Sequence, residues 1–424
     1  MSFESLLQNM RKYRPDTSYE AYYEQESRLD ALGISLPESA RVLEIQAPFA
    51  KMSIDILAEV VRPNGWRGED VDTRLLRRIW RRNNLDTEFQ LALTEMLVSG
   101  VAYWLVSPAE DGSVSVRTID ADHATVRLAH DGSPIEGVIL YSHGENRAAT
   151  YYTPEGATFY EERHGIWRVI GAREDGVMNL IPMVNRSRLG DVYGRSELAE
   201  LAPVIDAASR TLTNLQVLQE VSSSPLRLLI GDGANDALAE YPDAMTATLG
   251  KIIAAPAGSD LKQAQGASLD PFINAFKTYA LQISAMTGIP PSMMGVSSDN
   301  NPTSAEALRT AKDRLIARAE GKQRLCSPAL EELGETLLHY QGVDVEPGTL
   351  ETVWLDAAAP SESAQVANIL QSASQGIVSA ETARDFLQLT PEQLEREARN
   401  DGNGVGEQVD VADFLSLAED KEAA

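Results

Sequence analysis

The chain has 424 residues, 43 % of them hydrophobic and 24 % charged, enough apolar material for a large core and a length that predicts two or three domains. Its 63 acidic against 37 basic residues give a formal charge of −26. A surface of that sign repels phosphate backbones, which argues against a tight nucleic-acid binder but not against a protein that surrounds nucleic acid without holding it.

The first hundred residues read as helices. TSYEAYYEQESRLDALG predicts one that stops at Gly33, and VDTRLLRRIWRRNNLDTEFQLALTEMLVSG predicts two more. In the first of that pair Leu75, Leu76, Ile79 and Trp80 share an apolar face, flanked by Arg74, Arg77, Arg78, Arg81 and Arg82. So many arginines in an acidic chain read as a solvated face or an interface with an acidic neighbour, ahead of a DNA-reading helix.

From Val101 the period becomes two: VAYWLV, SVSVRTI, ATVRLA and GVILYS are separated by turn signals at Asp111-Gly112 and Asp131-Gly132, with further strands expected in ATYYT, TFYEER and IWRVIG. Residues 101–172 thus predict an antiparallel sheet packed on the N-terminal helices, an α+β unit. A long helix is then expected in YGRSELAELAPVIDAASRTLTNLQVLQEVSSS. Its stripe of Leu198, Leu201, Ile205, Ala208, Leu212 and Leu215 is narrow and needs a partner helix, from this chain or another copy. Short strand-like pieces broken by Gly and Pro come next, in SPLRLLIGDG through KIIAAPAGSDLKQAQGAS, and read as an inserted module.

DPFINAFKTYALQISAMTG predicts a helix with Pro271 in its first turn and Gly288 as its stop. After GIPPSMMGVSSDNNP, a helix is expected to start at Thr303, where Thr303 and Glu306 have capping-box spacing, and to continue past Pro328 or restart there. The last region reads as short helices and an acidic, frayed tail.

Signs of chemistry are sparse. Five histidines are scattered without metal-site spacing, and the single Cys326 excludes an intrachain disulfide and reads as a small packing residue. GDGANDALAE lacks the lysine of a phosphate loop, and Asp299 with Asn300 and Asn301 lacks a calcium-loop frame. No apolar run nears the roughly 18 residues of a membrane span, and MSFESLLQNMRKY lacks a signal-peptide core, so the chain is expected to be made and kept inside a cell.

Several stretches in order carry a family resemblance: YEQESRLDALGISLP, WRRNNLDTEFQLALTEMLVSGVAYWLV, IPMVNRSRLGDVYGRSELAEL and GIPPSMMGVSSDNNPTSAEALRTAKDRLIARAEGKQ. From residue 20 to about 330 the chain resembles the portal proteins, or head-to-tail connectors, of tailed bacteriophages, in the subgroup typical of long non-contractile tails. It departs where the family often has leucine and this chain has Met294, and its C-terminal hundred residues match only in type.

The resemblance implies a mostly helical α+β portal fold: a wing with an antiparallel sheet (1–190), a first stem helix (191–222), a small α/β clip (223–268) and a second stem helix (269–288). A tunnel loop (289–302), a long wing helix (303–345) and a helical crown with an acidic tail (346–424) complete it. It implies twelve copies closing into a ring at the portal vertex of the capsid, made in the host bacterial cytoplasm. Double-stranded DNA would pass without sequence specificity. A terminase motor, a head-completion adaptor, major capsid and scaffold proteins would be partners; no enzyme activity, cofactor, metal or membrane is implied.

Val296, Ser297, Ser298, Asp299, Asn300 and Asn301 would face the channel. A dozen residues there have a contour of about 40 Å, so an out-and-back loop reaches about half that. Twelve chains would carry roughly −310 charges, leaving DNA few places to adhere. From the residues themselves two other readings stay open: a carboxylate-based hydrolase in the α+β unit, and a non-ring capsid-associated or scaffold protein.

Overall fold

The computed structural model describes residues 3–223 apart from 14, 33–37, 69–70, 110–112, 130–131 and 144–145. It then describes 227–230, 252–255, 268–296, 305–343 and 345–358, with isolated positions at 369, 371, 372 and 375. The chain divides into two units, residues 1–357 and 358–424, of which the first carries the sheets and the long helices.

Helices α1 (Phe3–Gln8) and α2 (Glu20–Tyr23) open the chain, followed by α3 (Phe49–Val60), α4 (Thr73–Arg82) and α5 (Leu85–Ser99). The one starting at Thr73 is fixed by Asp72, whose carboxylate accepts the Arg74 N–H at 2.9 Å; the next stops at Gly100, which takes the left-handed conformation at φ +94°. Both match the sequence expectation. The helix expected through Gly33 does not: it ends at Tyr23. Gln25 turns left-handed at φ +59° and the Glu26 and Ser27 N–H groups both fold back to the Ala21 carbonyl. The Tyr22 and Tyr23 hydroxyls are meanwhile anchored on Asp206 and Asp55, so tertiary bonds override the local periodicity.

Strand β1 (Pro63–Gly68) falls in the stretch that the sequence reads as helical, whereas β2 (Val101–Pro108), β3 (Val114–Ile119), β4 (Ala124–Leu128), β5 (Pro134–His143), β6 (Asn146–Thr153), β7 (Gly156–Arg163), β8 (Ile166–Glu174) and β9 (Leu180–Val184) track the alternating segments closely. They form two sheets where one was expected: an antiparallel β3-β2-β9 and an antiparallel meander β4-β5-β6-β7-β8. The split sits at Asp120, whose carboxylate accepts the N–H groups of Asp122 (3.0 Å) and His123 (2.8 Å) and turns the chain into the second sheet. Residues Val101–Val106 are buried without alternation, because the strand is covered on both faces.

Helix α6 (Ala202–Ser223) starts later than its sequence stripe suggests. Pro203 stands in its first turn; placed deeper in a helix, its ring would clash with the carbonyl four residues earlier, so Leu198 sits instead in a separate 3-10 turn, Glu197–Ala199. Beyond it, β10 (Arg227–Ile230) and β11 (Ile252–Ala255) pair in parallel; GDGANDALAE lies outside the described residues.

Helix α7 (Asp270–Thr287) packs along α6, and α8 (Ala305–His339) runs unbroken through Pro328. The expected cap Thr303 lies outside the described residues. Strand β12 (Leu350–Trp354) returns to pair antiparallel with β1, and Trp66 of that ribbon donates to the Leu330 carbonyl of the long helix at 3.1 Å. Cys326 is fully buried there, its thiol pushed up to about 12 by burial, in keeping with a packing role. One core joins α3–α8 to the three-stranded sheet, a mixed helical and antiparallel architecture.

Candidate functional site

The segments singled out by their sequence meet at one place, the root of the stretch GIPPSMMGV. The contact begins between two glycines. Gly100 closes α5, and a Cβ on it would stand 2.8 Å from the Arg195 backbone nitrogen; Gly194 is held at φ +93° against the Gly100 backbone. The chain leaving β9 is stitched into the same point: the Asn185 N–H donates to the Gly100 carbonyl (2.8 Å) and the Arg195 N–H to the Asn185 carbonyl (3.1 Å).

Asn185, 1 % exposed, then carries the network outward through its side chain. Its amide nitrogen donates to the Arg195 carbonyl (2.7 Å) and to Glu197 Oε1 (3.0 Å), and its amide oxygen accepts from Lys322 Nζ (2.6 Å). Glu197 is placed by the Ser196-capped 3-10 turn and takes Lys322 Nζ at 2.5 Å and the Arg318 guanidinium on its other oxygen. Burial pushes the Glu197 carboxyl up, but Lys322, Arg318 and the bonds from Lys322 and Asn185 outweigh it and hold the group below its ordinary range.

Arg314, Arg318 and Lys322 recur every four residues, so they form one row on α8. The two arginines also reach α7: Arg318 donates to the Thr287 carbonyl, and Arg314 donates to the Ala285 carbonyl at 2.5 Å. Carbonyls of a last helical turn have no partner within the helix, and cations suit the negative end of its dipole. Gly288 then takes φ +74°, and a Cβ on it would stand 2.8 Å from Arg314 Cγ.

After this joint Ile289 is buried, Pro291–Met294 form a 3-10 turn, and Met294 enters the core at 3 % exposure. Gly295 turns left-handed, and the Val296 N–H closes back on the Pro291 carbonyl at 3.1 Å. The segment is therefore pinned through Val296.

Of the six residues expected to face a channel, Val296 is a core residue at 8 % exposure. Ser297, Ser298, Asp299, Asn300 and Asn301 lie outside the described residues. Leu198, Leu201 and Ile205 are buried as their spacing suggests, while Leu212 and Leu215 are half-buried where the helix emerges from the core.

The network of Asn185, Glu197, Arg318 and Lys322 is not named by the sequence pattern, although every member lies in a segment the pattern marks. Two cations four apart on the helix side that also presents Leu315 and Ala319 to the core were the available signal. Chemically the arrangement holds backbone in place: both cations share the one carboxylate and spend further donors on the Asn185 amide oxygen and the Thr287 carbonyl. Among the described residues no three His, Cys, Asp or Glu side chains gather into a metal cluster, and no helix is long and apolar enough to cross a membrane.

A sequence model of the family described as phage portal protein, SPP1 Gp6-like, matches residues 6–401. The portal protein of Mycobacterium phage D29 is 30 % identical over 418 aligned residues, covering 90 % of this chain and 83 % of that protein. That of Mycobacterium phage L5 is 31 % identical over 399, covering 86 % and 80 %. Among solved structures, a chain from the neck of a native gene transfer agent particle aligns with a TM-score of 0.49 at 17 % identity, over 84 % of this chain and 94 % of that one. A chain from the virion of such a particle gives 0.47 at 16 %, over 89 % and 100 %.

Proposed function

The chain belongs to the SPP1 Gp6-like family of phage portal proteins, and on that premise we propose that about twelve copies close into a ring at the unique vertex of a phage capsid, a channel through which duplex DNA enters and leaves. In this reading α6 and α7 are stem helices, residues 223–268 the clip, residues 289–302 the tunnel loop, residues 358–424 the crown, and the rest, with the β1-β12 ribbon, the wing. The role is structural: a separate terminase motor docks on the ring and drives the DNA, and head-completion, capsid and scaffold proteins contact it elsewhere.

The observation that carries the loop assignment is the asymmetry of GIPPSMMGVSSDNN. Its first nine residues, through Val296, are tied down by the buried side chains of Ile289, Met294 and Val296 and by the bond from the Val296 N–H to the Pro291 carbonyl; the next five are small, polar and bear one carboxylate. A stiff root followed by a tip without cations suits a part that touches moving phosphates without gripping them. Arg314, Arg318 and Lys322 of α8, being spent on Glu197, Asn185 and helix carbonyls, support that division.

The test replaces residues 297–301 with a Gly-Ser bridge. Rings should assemble normally while packaging or retention of DNA falls; packaging at normal efficiency and density overturns the loop assignment. Asp299→Lys, repeated around the ring, should add a salt-dependent adhesion to DNA, and no change with salt would place Asp299 away from the duplex.

A further inference from the structure

The arginines of α4 take no part in the core network. Arg74, Arg77, Arg78, Arg81 and Arg82 are all exposed and together line a shallow concavity of the surface. Among the described residues none is within ion-pair distance of a carboxylate, although acidic side chains outnumber basic ones 63 to 37 in the chain. Helix-dipole complementarity accounts for Arg81 and Arg82 in the last turn, but not for Arg74 or Arg77. The apolar side of the helix is already occupied, with Leu76, Ile79 and Trp80 buried, so the cations project from a fixed platform.

A patch of the opposite sign stands elsewhere on the same framework. Glu20, Glu24 and Glu26 come from the α2 segment, Asp120 and Asp122 from the turn between β3 and β4, and Thr17 joins the two through a 3.0 Å bond to Asp122. The carboxyl of Glu20 is raised, by burial first and then by Asp122, Asp120, Glu24 and Glu26, so these carboxylates crowd one another at Glu20, while Asp120 also holds His123 Nδ1 at 2.7 Å. Helix α5 fixes both patches. Its amino end holds the arginine helix through the bond from Trp80 Nε1 to Asp86 (2.9 Å), and Glu95, nine residues on, accepts the Ala121 N–H of the acidic turn at 3.4 Å. At 1.5 Å per residue the anchor points are about 13 Å apart, too far for the patches to neutralise each other within one chain.

We infer that the arginine face of α4 docks on the Glu20/Asp120/Asp122 patch of the adjacent copy of this chain, forming a head-to-tail contact between subunits. A cyclic ring needs such a heterologous interface, in which two different surfaces of one subunit fit each other, and charge complementarity fixes its direction. The occupant is a second copy rather than nucleic acid because the same chain supplies a crowded, matching set of carboxylates. The contact rests on the ring reading.

Two charge-reversed chains test it. One carries Arg78→Glu and Arg81→Glu; the other carries Glu20→Lys and Asp122→Lys. Each alone should shift the protein concentration needed for ring assembly upward by about tenfold or more at 0.1 M salt, with melting temperatures showing that both subunits fold. An equimolar mixture should recover assembly, because each altered patch then meets its new complement, and so should one chain bearing all four changes. Rings from either single variant at wild-type concentrations, or no recovery in the mixture, overturn the contact while leaving the ring reading intact. The arginine variant losing affinity for a duplex DNA fragment while assembling normally assigns the face to nucleic acid and also overturns it. A wild-type chain that never assembles removes the ring reading and this contact together.

Discussion

The loop root and α4 use the same side chains in opposite ways. Around Glu197, Arg318 and Lys322 are mostly buried, and each bonds a carboxylate oxygen plus an amide or carbonyl. On α4 five arginines stand in solvent without a carboxylate partner among the described residues. A cation taken out of water must be satisfied on the spot and so fixes geometry; one left in water costs little and stays available to another surface.

The comparison predicts unequal sensitivities. The largest belongs to Glu197. Glu197→Ala leaves two partly buried cations without their counter-charge and should destabilise the folded chain by about 3 kcal/mol, read by denaturant unfolding. Because the Glu197 carboxyl is held below its ordinary range, its contribution is present above the unfolded-state value near 4.5 and is lost as pH falls through the lower folded-state value. Glu197→Gln should accordingly flatten the acid limb of the stability profile. A loss no greater than that of a surface change would mean the network does not hold the root.

Glu332 sharpens the contrast from the other side. It lies on the same long helix, lacks a cation partner among the described residues, and is pushed up to about 7 by burial and then by Glu335. A raised carboxyl favours the fold below its unfolded value of 4.5 and works against it as pH rises through 7. Glu332→Gln should therefore stabilise the chain by about 1–2 kcal/mol at pH 8 and have no effect at pH 4, as thermal unfolding at the two values would show.

At the joint itself Gly288→Ala forces a side chain into φ +74° and against Arg314, a cost of about 1–2 kcal/mol measurable in the same way. The smallest effect is expected on α4. Arg78→Gln should change subunit stability by less than about 0.5 kcal/mol, and a larger loss would mean the arginines are structural after all.

These differences also decide what the sequence could disclose. Helices α4 and α5 and the hairpins from Val101 to Glu174 are local objects, and period, caps and turns made them legible. The ribbon of β1 with β12 was not, because Arg67 pairs with Glu351 across 284 positions and Pro63-Asn64-Gly65 reads as a turn. Helix α3 went unmarked between Pro48 and that ribbon, although Ala50, Ile54, Leu57 and Ala58 have helical spacing.

At the root, the stretch GIPPSMMGV stood out for its prolines and glycines, yet the division between pinned residues and tip depends on Met294 and Val296 entering the core. Asn185, Glu197 and Lys322 are 137 positions apart at most, and only the fold brings their side chains together.

Whether the subunit is one arc of a closed ring around a DNA channel can be read from images of the purified assembly. A cyclic particle of about twelve subunits, each of 46.2 kDa, with an open axis that the 297–301 tips approach, is the expected result. A particle that stays a single subunit under every assembly condition, or a multimer with no axial opening, would contradict it.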